Sequence, residues 1–235
     1  MIQSLAQLDK VRYKASLCLL LAVLVVATPG LAQSKKHPCL ATYMSKPKAI
    51  AEHQAIYKPI YEAAKGEVFA SVGAGSGTKE IIYSMMADSL TFYLQDIDPA
   101  CLAAQTIAQN AATLYATANR ANTATFIPVI GTESETKLPA STIDKLLIEN
   151  SLHEFTNPAD VLADVRKSLK KGGLLYVMEM ISTKPGRLHN GCKKPLFTHQ
   201  TLLDLLTQNG FRYVRHQPTY PNEPQALVYV FAVAE

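Results

Sequence analysis

Gly73, Gly75 and Gly77 fall within Gly73-Ala74-Gly75-Ser76-Gly77-Thr78, directly after the short apolar run Val68-Phe69-Ala70-Ser71-Val72. Glycine at such a junction lets the chain turn tightly and lets a ligand approach bare backbone, beside the partly positive start of the helix that follows. Asp96 stands 96 − 77 = 19 residues beyond the last of these glycines, at the end of a second apolar run. A carboxylate at that place accepts hydrogen bonds from both hydroxyls of a ribose, so the pair of features points to a nucleoside-containing ligand. The dinucleotide fingerprint calls for glycine at its sixth position, where Thr78 stands, and this disfavours NAD. A phosphate-cradling P-loop also fails, because no Gly-Lys-Ser/Thr follows the first glycine at the needed distance.

The other residues able to do chemistry are scattered. His189 and His199 flank Gly191-Cys192-Lys193-Lys194 without a carboxylate at metal-ligand spacing, and are read as loop residues. No close pair of cysteines and no Cys/His cluster of zinc-ligand spacing is present, so no metal is expected.

These residues need a scaffold, and the pattern around them supplies one. Strand candidates at 68–72, 90–95, 124–130, 145–148 and 174–180 alternate with helical stretches at about 79–87, 99–118, 158–170 and 198–209, the alternation of βαβ units. Asn157-Pro158 offers a cap and a first-turn proline, and Lys170-Lys171-Gly172-Gly173 closes the same helix. Two last strands, at 211–215 and 226–233, are joined by a loop over 217–225 that holds three prolines and is too short for a crossover helix, so they should pair antiparallel. Ahead of the first strand, apolar residues at helical spacing from Ile50 to Ala64 predict a core-facing helix that Pro59 should kink or divide. The inferred fold is α/β, a doubly wound and mostly parallel sheet with one reversed strand.

The chain of 235 residues is 48% apolar and 18% charged, the composition of an ordinary packed core. Its net charge of +4 divides evenly, because Lys10, Arg12 and Lys14 against Asp9 place +2 in the first 32 residues. The near-neutral remainder gives little electrostatic reason to expect nucleic acid as a partner. Those three basic residues precede an apolar run over 15–27 and then Thr28-Pro29-Gly30-Leu31-Ala32, the pattern of a secretory signal peptide cleaved after Ala32. The run holds 27 − 15 + 1 = 13 residues, short of the ~20 that span a bilayer. The chain is thus divided into a signal at 1–32, a polar segment and helix at 33–65, and a main domain at 66–235, with export to the periplasm or medium and no membrane span after cleavage. The mature chain keeps Cys39, Cys101 and Cys192; a Cys39–Cys192 bridge could tie two polar stretches together, and Cys101 is read as a small buried residue.

At this point the chain resembles the class I S-adenosylmethionine-dependent methyltransferases over most of residues 66–233. Val72-Gly73-Ala74-Gly75-Ser76-Gly77 is similar to that family's glycine motif, and Asp96-Ile97-Asp98-Pro99 to its ribose-binding strand end. Leu138-Pro139 followed by Ile143-Asp144-Lys145-Leu146-Leu147-Ile148-Glu149-Asn150-Ser151-Leu152-His153-Glu154-Phe155 is similar to its fourth strand and the start of its active-site loop. Leu169-Lys170-Lys171-Gly172-Gly173-Leu174-Leu175 is similar to its turn into the fifth strand. The resemblance implies a Rossmann-like sheet of seven strands with the last antiparallel, and S-adenosylmethionine held by Gly73, Ala74, Gly75, Gly77, Asp96, Ile97, Thr132, Glu133, Glu149 and Asn150. The family's acidic residue two positions before the first glycine is here Ser71, and Gly131-Thr132-Glu133 leaves either Thr132 or Glu133 for the adenine amine. Methyl transfer from a sulfonium requires an aligned approach and a way to remove the acceptor's proton, but no metal. His153, with an unperturbed pKa of ~6.5, is the candidate general base, with Asn150 beside it; the alternative is that His153 braces its loop while Asn150 shapes the methionine pocket. The expected function is an exported methyltransferase acting on a small-molecule acceptor. A non-catalytic nucleoside-binding protein on the same fold, and an NAD-dependent oxidoreductase, are the alternatives.

Overall fold

The structure, a computed structural model, describes residues 41, 43–220 and 222–234. The expected signal at 1–32 and Cys39 lie outside the described residues. Within them the order is α1 (Pro47–Tyr61), β1 (Val68–Val72), α2 (Thr78–Tyr83), β2 (Thr91–Asp96), α3 (Ala104–Thr117), β3 (Thr125–Ile130), β4 (Ile143–Glu149), α4 (Pro158–Ser168), β5 (Leu169–Met180), α5 (His199–Gln208), β6 (Phe211–Tyr220) and β7 (Glu223–Val233). The seven strands form one sheet in the order β3-β2-β1-β4-β5-β7-β6. Every pairing from β3 to β5 is parallel, and β7 runs antiparallel to both β5 and β6. Among the described residues no helix is long and apolar enough to cross a membrane.

Period-two alternation in the central strands covers both faces. On β4, Leu146 and Ile148 join the cluster that holds Val161, Leu162 and Val165 of α4 and Leu202 and Leu206 of α5. Leu147 between them joins Tyr57, Ile60 and Tyr61 of α1, Tyr83 of α2 and Ile107 of α3 on the opposite face. Side chains that alternate about the sheet plane therefore close two apolar layers, and the strands read as buried on both sides. The order reverses at β1, which sends connections to β2 on one side and lies beside β4 on the other. Ligands in open parallel sheets bind outside the carboxyl ends of the strands at such a switch point.

Several local expectations change. α1 runs through Pro59 without dividing and ends at Tyr61, with Glu62 left-handed at φ 46°; proline in a last turn removes one bond of a helix that is about to stop. The prolines of 217–225 do not make a long loop: Pro218 lies in β6, where it sits opposite Leu227, and Pro224 lies in β7. β6 is the sheet edge, where a residue without an N–H is tolerated. Asn157 does not cap α4, since its amide turns to Ser134 Oγ at 3.4 Å. Pairing between β4 and β5 shifts register between Ile143–Leu169 and Lys145–Leu174, so the Lys-Lys-Gly-Gly stretch bulges out of the ladder and Gly172 takes φ +82°. Cys192 is a free thiol, and Cys101, half-buried, is disulfide-bonded. Cys192 is therefore not half of a bridge to Cys39, and Cys101 is not the plain buried thiol that the sequence suggested.

Candidate active site

The carboxyl ends of β1, β2 and β4 open into a cleft of about 340 Å³. Gly73, Asp96, Ile97, Thr132, Glu133, Glu149 and Asn150, all marked by the sequence, line it. Ala74 and Gly75 line an adjoining cavity of about 250 Å³ that shares Gly73 and Glu149 with the first. Gly77 is in neither; it precedes α2 at φ 66°, and a Cβ there would meet Leu94 Cδ1 at 2.7 Å. Gly73, at φ +80°, has no room for a side chain because Ser151 Oγ would stand 2.6 Å from its Cβ. Gly75, at φ +55°, has open space above it, which leaves its backbone approachable.

Asp96 already braces this turn. Its Oδ2 accepts from Gly75 N–H at 2.7 Å and its Oδ1 from Asp98 N–H at 3.0 Å. An ionised carboxylate has about four acceptor sites, so half remain for a ligand. Beyond β3, the Thr132 hydroxyl accepts from the Ser134 and Glu135 amides at 3.3 and 3.0 Å and so serves its own turn, whereas Glu133 stands exposed on the cleft wall.

Glu149 is the polar centre of the site. Its side chain is 4% exposed and accepts from Tyr61 OH, from Lys79 Nζ at 2.9 Å and from Tyr83 OH at 3.1 Å. Burial, and then the Glu149 charge, push the Tyr61 and Tyr83 hydroxyls well above their ordinary range, so both remain neutral donors. Burial pulls the Lys79 ammonium down, but the charge and hydrogen bond of Glu149 outweigh it and the net shift is upward. Ser71 donates to Glu80 Oε1 at 2.7 Å. Burial and then the nearby Glu149 charge push Glu80 up to about 7, against the Ser71 bond that lowers it. A carboxyl from α2 thus lies beside the strand position where the sequence lacks one. Neither Lys79, Glu80 nor the two tyrosines carried a motif; their spacing showed only core-facing helices, and tertiary packing brings them to Glu149.

Asn150 ends β4 in a left-handed turn at φ 52°, a conformation asparagine tolerates, with its N–H on Met178 O at 2.7 Å. Its Oδ1 is buried in the cleft wall and has no partner. His153 lies on the one-turn 3₁₀ segment Leu152–Glu154, and there the order of the two neighbours matters: Glu154 and Phe155 line the cleft, while His153 turns to a shallower cleft of about 490 Å³ against α5. His153 Nδ1 pairs with Glu179 Oε2 at 2.7 Å, and both side chains are fully buried. That hydrogen bond, opposed by burial, raises the imidazole's pKa. His199 is the first residue of α5 rather than a loop residue; it pairs through Nδ1 with Tyr229 OH at 2.8 Å and lines neither cleft.

Comparison with known proteins agrees with this geometry. A methyltransferase-domain profile matches residues 71–177. The chain carries a match to a methyltransferase domain over just under half of its length, on the Rossmann-like fold that methyltransferases share. It is similar in fold to the Burkholderia thailandensis 1,6-didemethyltoxoflavin-N1-methyltransferase solved with 1,6-didemethyltoxoflavin and S-adenosylhomocysteine, with TM-score 0.58, 20% identity, and 82% of this chain and 81% of that one covered. It is similar also to an S-adenosylmethionine-dependent methyltransferase of Aquifex aeolicus, with TM-score 0.59, 16% identity and coverage of 81% and 99%. The [4+2]-cyclase SpnF shares the fold at TM-score 0.57 and 14% identity, covering 79% of this chain and 82% of its own. No curated protein sequence matches the chain.

The residues present fit the cofactor. The approachable Gly75 backbone and the spare acceptor sites of Asp96 suit a ribose, and the orphaned Asn150 Oδ1 suits an ammonium donor.

Proposed function

We propose that this methyltransferase acts on a small molecule outside the cytoplasm. The convergence of Gly73, Asp96, Glu149 and Asn150 on one cleft carries the reading. The bound cofactor supplies a methyl group made electrophilic by its sulfonium. Asp96 holds the sugar through its free acceptor sites, Asn150 Oδ1 receives the amino-acid end, and Ile97, apolar yet 54% exposed on the cleft wall, gives a face for the base. The exposed Glu133 is left for the adenine amine. Glu154, half-exposed at the same wall, is the group placed to hold or take a proton from an acceptor, and His153 behind it braces the turn through Glu179. Support for a small acceptor comes from the toxoflavin-precursor enzyme of like fold and from the size of the cleft. Support for export is the basic-then-apolar pattern of residues 10–32.

Calorimetry with S-adenosylmethionine, S-adenosylhomocysteine and NAD tests the site: the first two bind and NAD does not, and Asp96→Asn weakens both by about thirtyfold, the worth of charge-assisted hydrogen bonds. Undiminished affinity in that variant overturns the assignment of Asp96. A screen of small acceptors with methyl-labelled cofactor identifies the substrate. Amino-terminal sequencing of protein recovered outside the cytoplasm should begin at Gln33; a start at Met1 overturns the cleaved signal.

A further inference from the structure

His189 and Cys192 sit three residues apart on a tight loop after β5. The loop is closed by His189 N–H to Lys194 O at 2.8 Å and Lys193 N–H to His189 O at 3.1 Å, and is paired across Leu188 and Pro195. The fold lays this turn against the 3₁₀ segment that carries His153 and Glu154. One ligand-type atom from each of His153, Glu154, His189 and Cys192 lies within 4.8 Å of the others. Two edges are tighter: His153 Nε2 to Glu154 Oε1 is 3.7 Å, and His189 Nδ1 to Cys192 Sγ is 3.2 Å. The ligand atoms of a tetrahedral zinc site, with bonds of ~2.0–2.3 Å, stand about 3.4–3.7 Å apart, so the cluster needs a contraction of about an ångström at its longest edge.

We infer that His153, Glu154, His189 and Cys192 form a binding site for a borderline divalent cation of the zinc class. A second observation points to a ligand there. His153 Nε2 is buried with no hydrogen-bond partner, although its ring is fully enclosed and its other nitrogen is paired. A buried imidazole nitrogen left without a partner is a costly omission in a folded chain unless something fills it. The partner on the far side completes the pattern: Glu179, wholly buried, accepts from His153 Nδ1 at 2.7 Å, which fixes the tautomer that leaves Nε2 a lone pair aimed into the cluster. Glu179 is thus a positioning residue, acting through His153. Two imidazoles, a thiolate and a carboxylate select zinc-class ions over Mg²⁺ or Ca²⁺, which favour all-oxygen shells. On binding, the Cys192 thiol releases its proton to solvent. The ion would tie the 183–197 loop to Glu154, and so to the cleft wall that Glu154 shares. The site shares Glu154 with the proposed methyl-transfer cleft but none of the cofactor positions, and metal binding is read without methyl transfer.

The test is cobalt and zinc titration of the reduced, metal-stripped protein. Wild type is expected to take up one equivalent of Co²⁺ with a thiolate-to-cobalt charge-transfer band, displaced by one equivalent of Zn²⁺ and not by excess Mg²⁺. Cys192→Ser should lose the band, and His189→Gln should weaken Zn²⁺ binding at least about tenfold. Both positions are half-buried on a surface loop, so metal-free variants should unfold at the same temperature as metal-free wild type. Added Zn²⁺ should raise that temperature in wild type alone. Absence of saturable binding, displacement by Mg²⁺, or unchanged Zn²⁺ affinity in both variants overturns the site, whatever the result with S-adenosylmethionine.

Discussion

Glu149 and Glu179 end neighbouring parallel strands, Glu149 opposite Met178 and Glu179 one residue further along β5, and both side chains are withdrawn from solvent. Their surroundings differ. Glu149, at the cleft, is met by a lysine and two tyrosine hydroxyls, and its charge adds to the burial that raises Glu80 to about 7. Glu179, behind the cleft, is met by one imidazole and the His153 amide, the latter at 3.2 Å. A buried charge persists only where partners replace its water. Several partners make the Glu149 centre tolerant of losing one, while the Glu179 centre rests on a single side chain.

Removing the lone partner should therefore have the larger effect. Glu179→Ala strands the His153 ring and is expected to destabilise the protein by about 4 kcal/mol, read from urea unfolding. A loss below about 1 kcal/mol would show that His153 has other support.

The two centres also separate by pH. Glu80 binds its proton more tightly folded than unfolded, with a carboxyl raised from 4.5 to about 7, so stability falls as pH rises across that window, by about 3 kcal/mol for 2.5 pH units. His153, also raised, contributes stability that is complete below its unfolded value of about 6.5 and is lost as pH climbs through its higher folded value. Glu80→Gln should flatten the lower window and leave the upper one, as followed by unfolding midpoints from pH 4 to 9. A variant whose curve overlays wild type throughout would remove Glu80 from the account.

The smallest effect tests redundancy at Glu149. Tyr61→Phe deletes one of its three donors and should lower stability by about 1.5 kcal/mol in the same urea measurement, since Lys79 and Tyr83 remain. A loss equal to that of Glu179→Ala would erase the contrast between the centres.

How much was legible follows from the range of each interaction. Gly73, Gly75 and Asp96 could be found because their roles are local: positive φ after a strand, and a carboxylate at the next strand's end. The strand at Leu146-Leu147-Ile148 was likewise legible as a short apolar run, while which of these residues faces which layer was set by the sheet. The hairpin of β6 and β7 was shortened in the reading because Pro218 and Pro224 look like breakers, and only the edge position of β6 makes Pro218 harmless. Glu80 carried no signal, since its meaning depends on Ser71 across the strand-to-helix turn and on Glu149 about seventy residues away.

The order of strands and helices, the glycine turn and the acid that faces it were determined by the chain's own periodicity, because backbone geometry and solvent avoidance act over a few residues. Which nitrogen of His153 meets Glu179, which cysteine stays a thiol, and that His189 and Cys192 come to stand beside His153 and Glu154 were decided only when the loop after β5 folded back over the end of β4. Such meetings depend on the path of the whole sheet, and nothing in the spacing of 153 and 192 along the chain encodes a distance of a few ångströms between them.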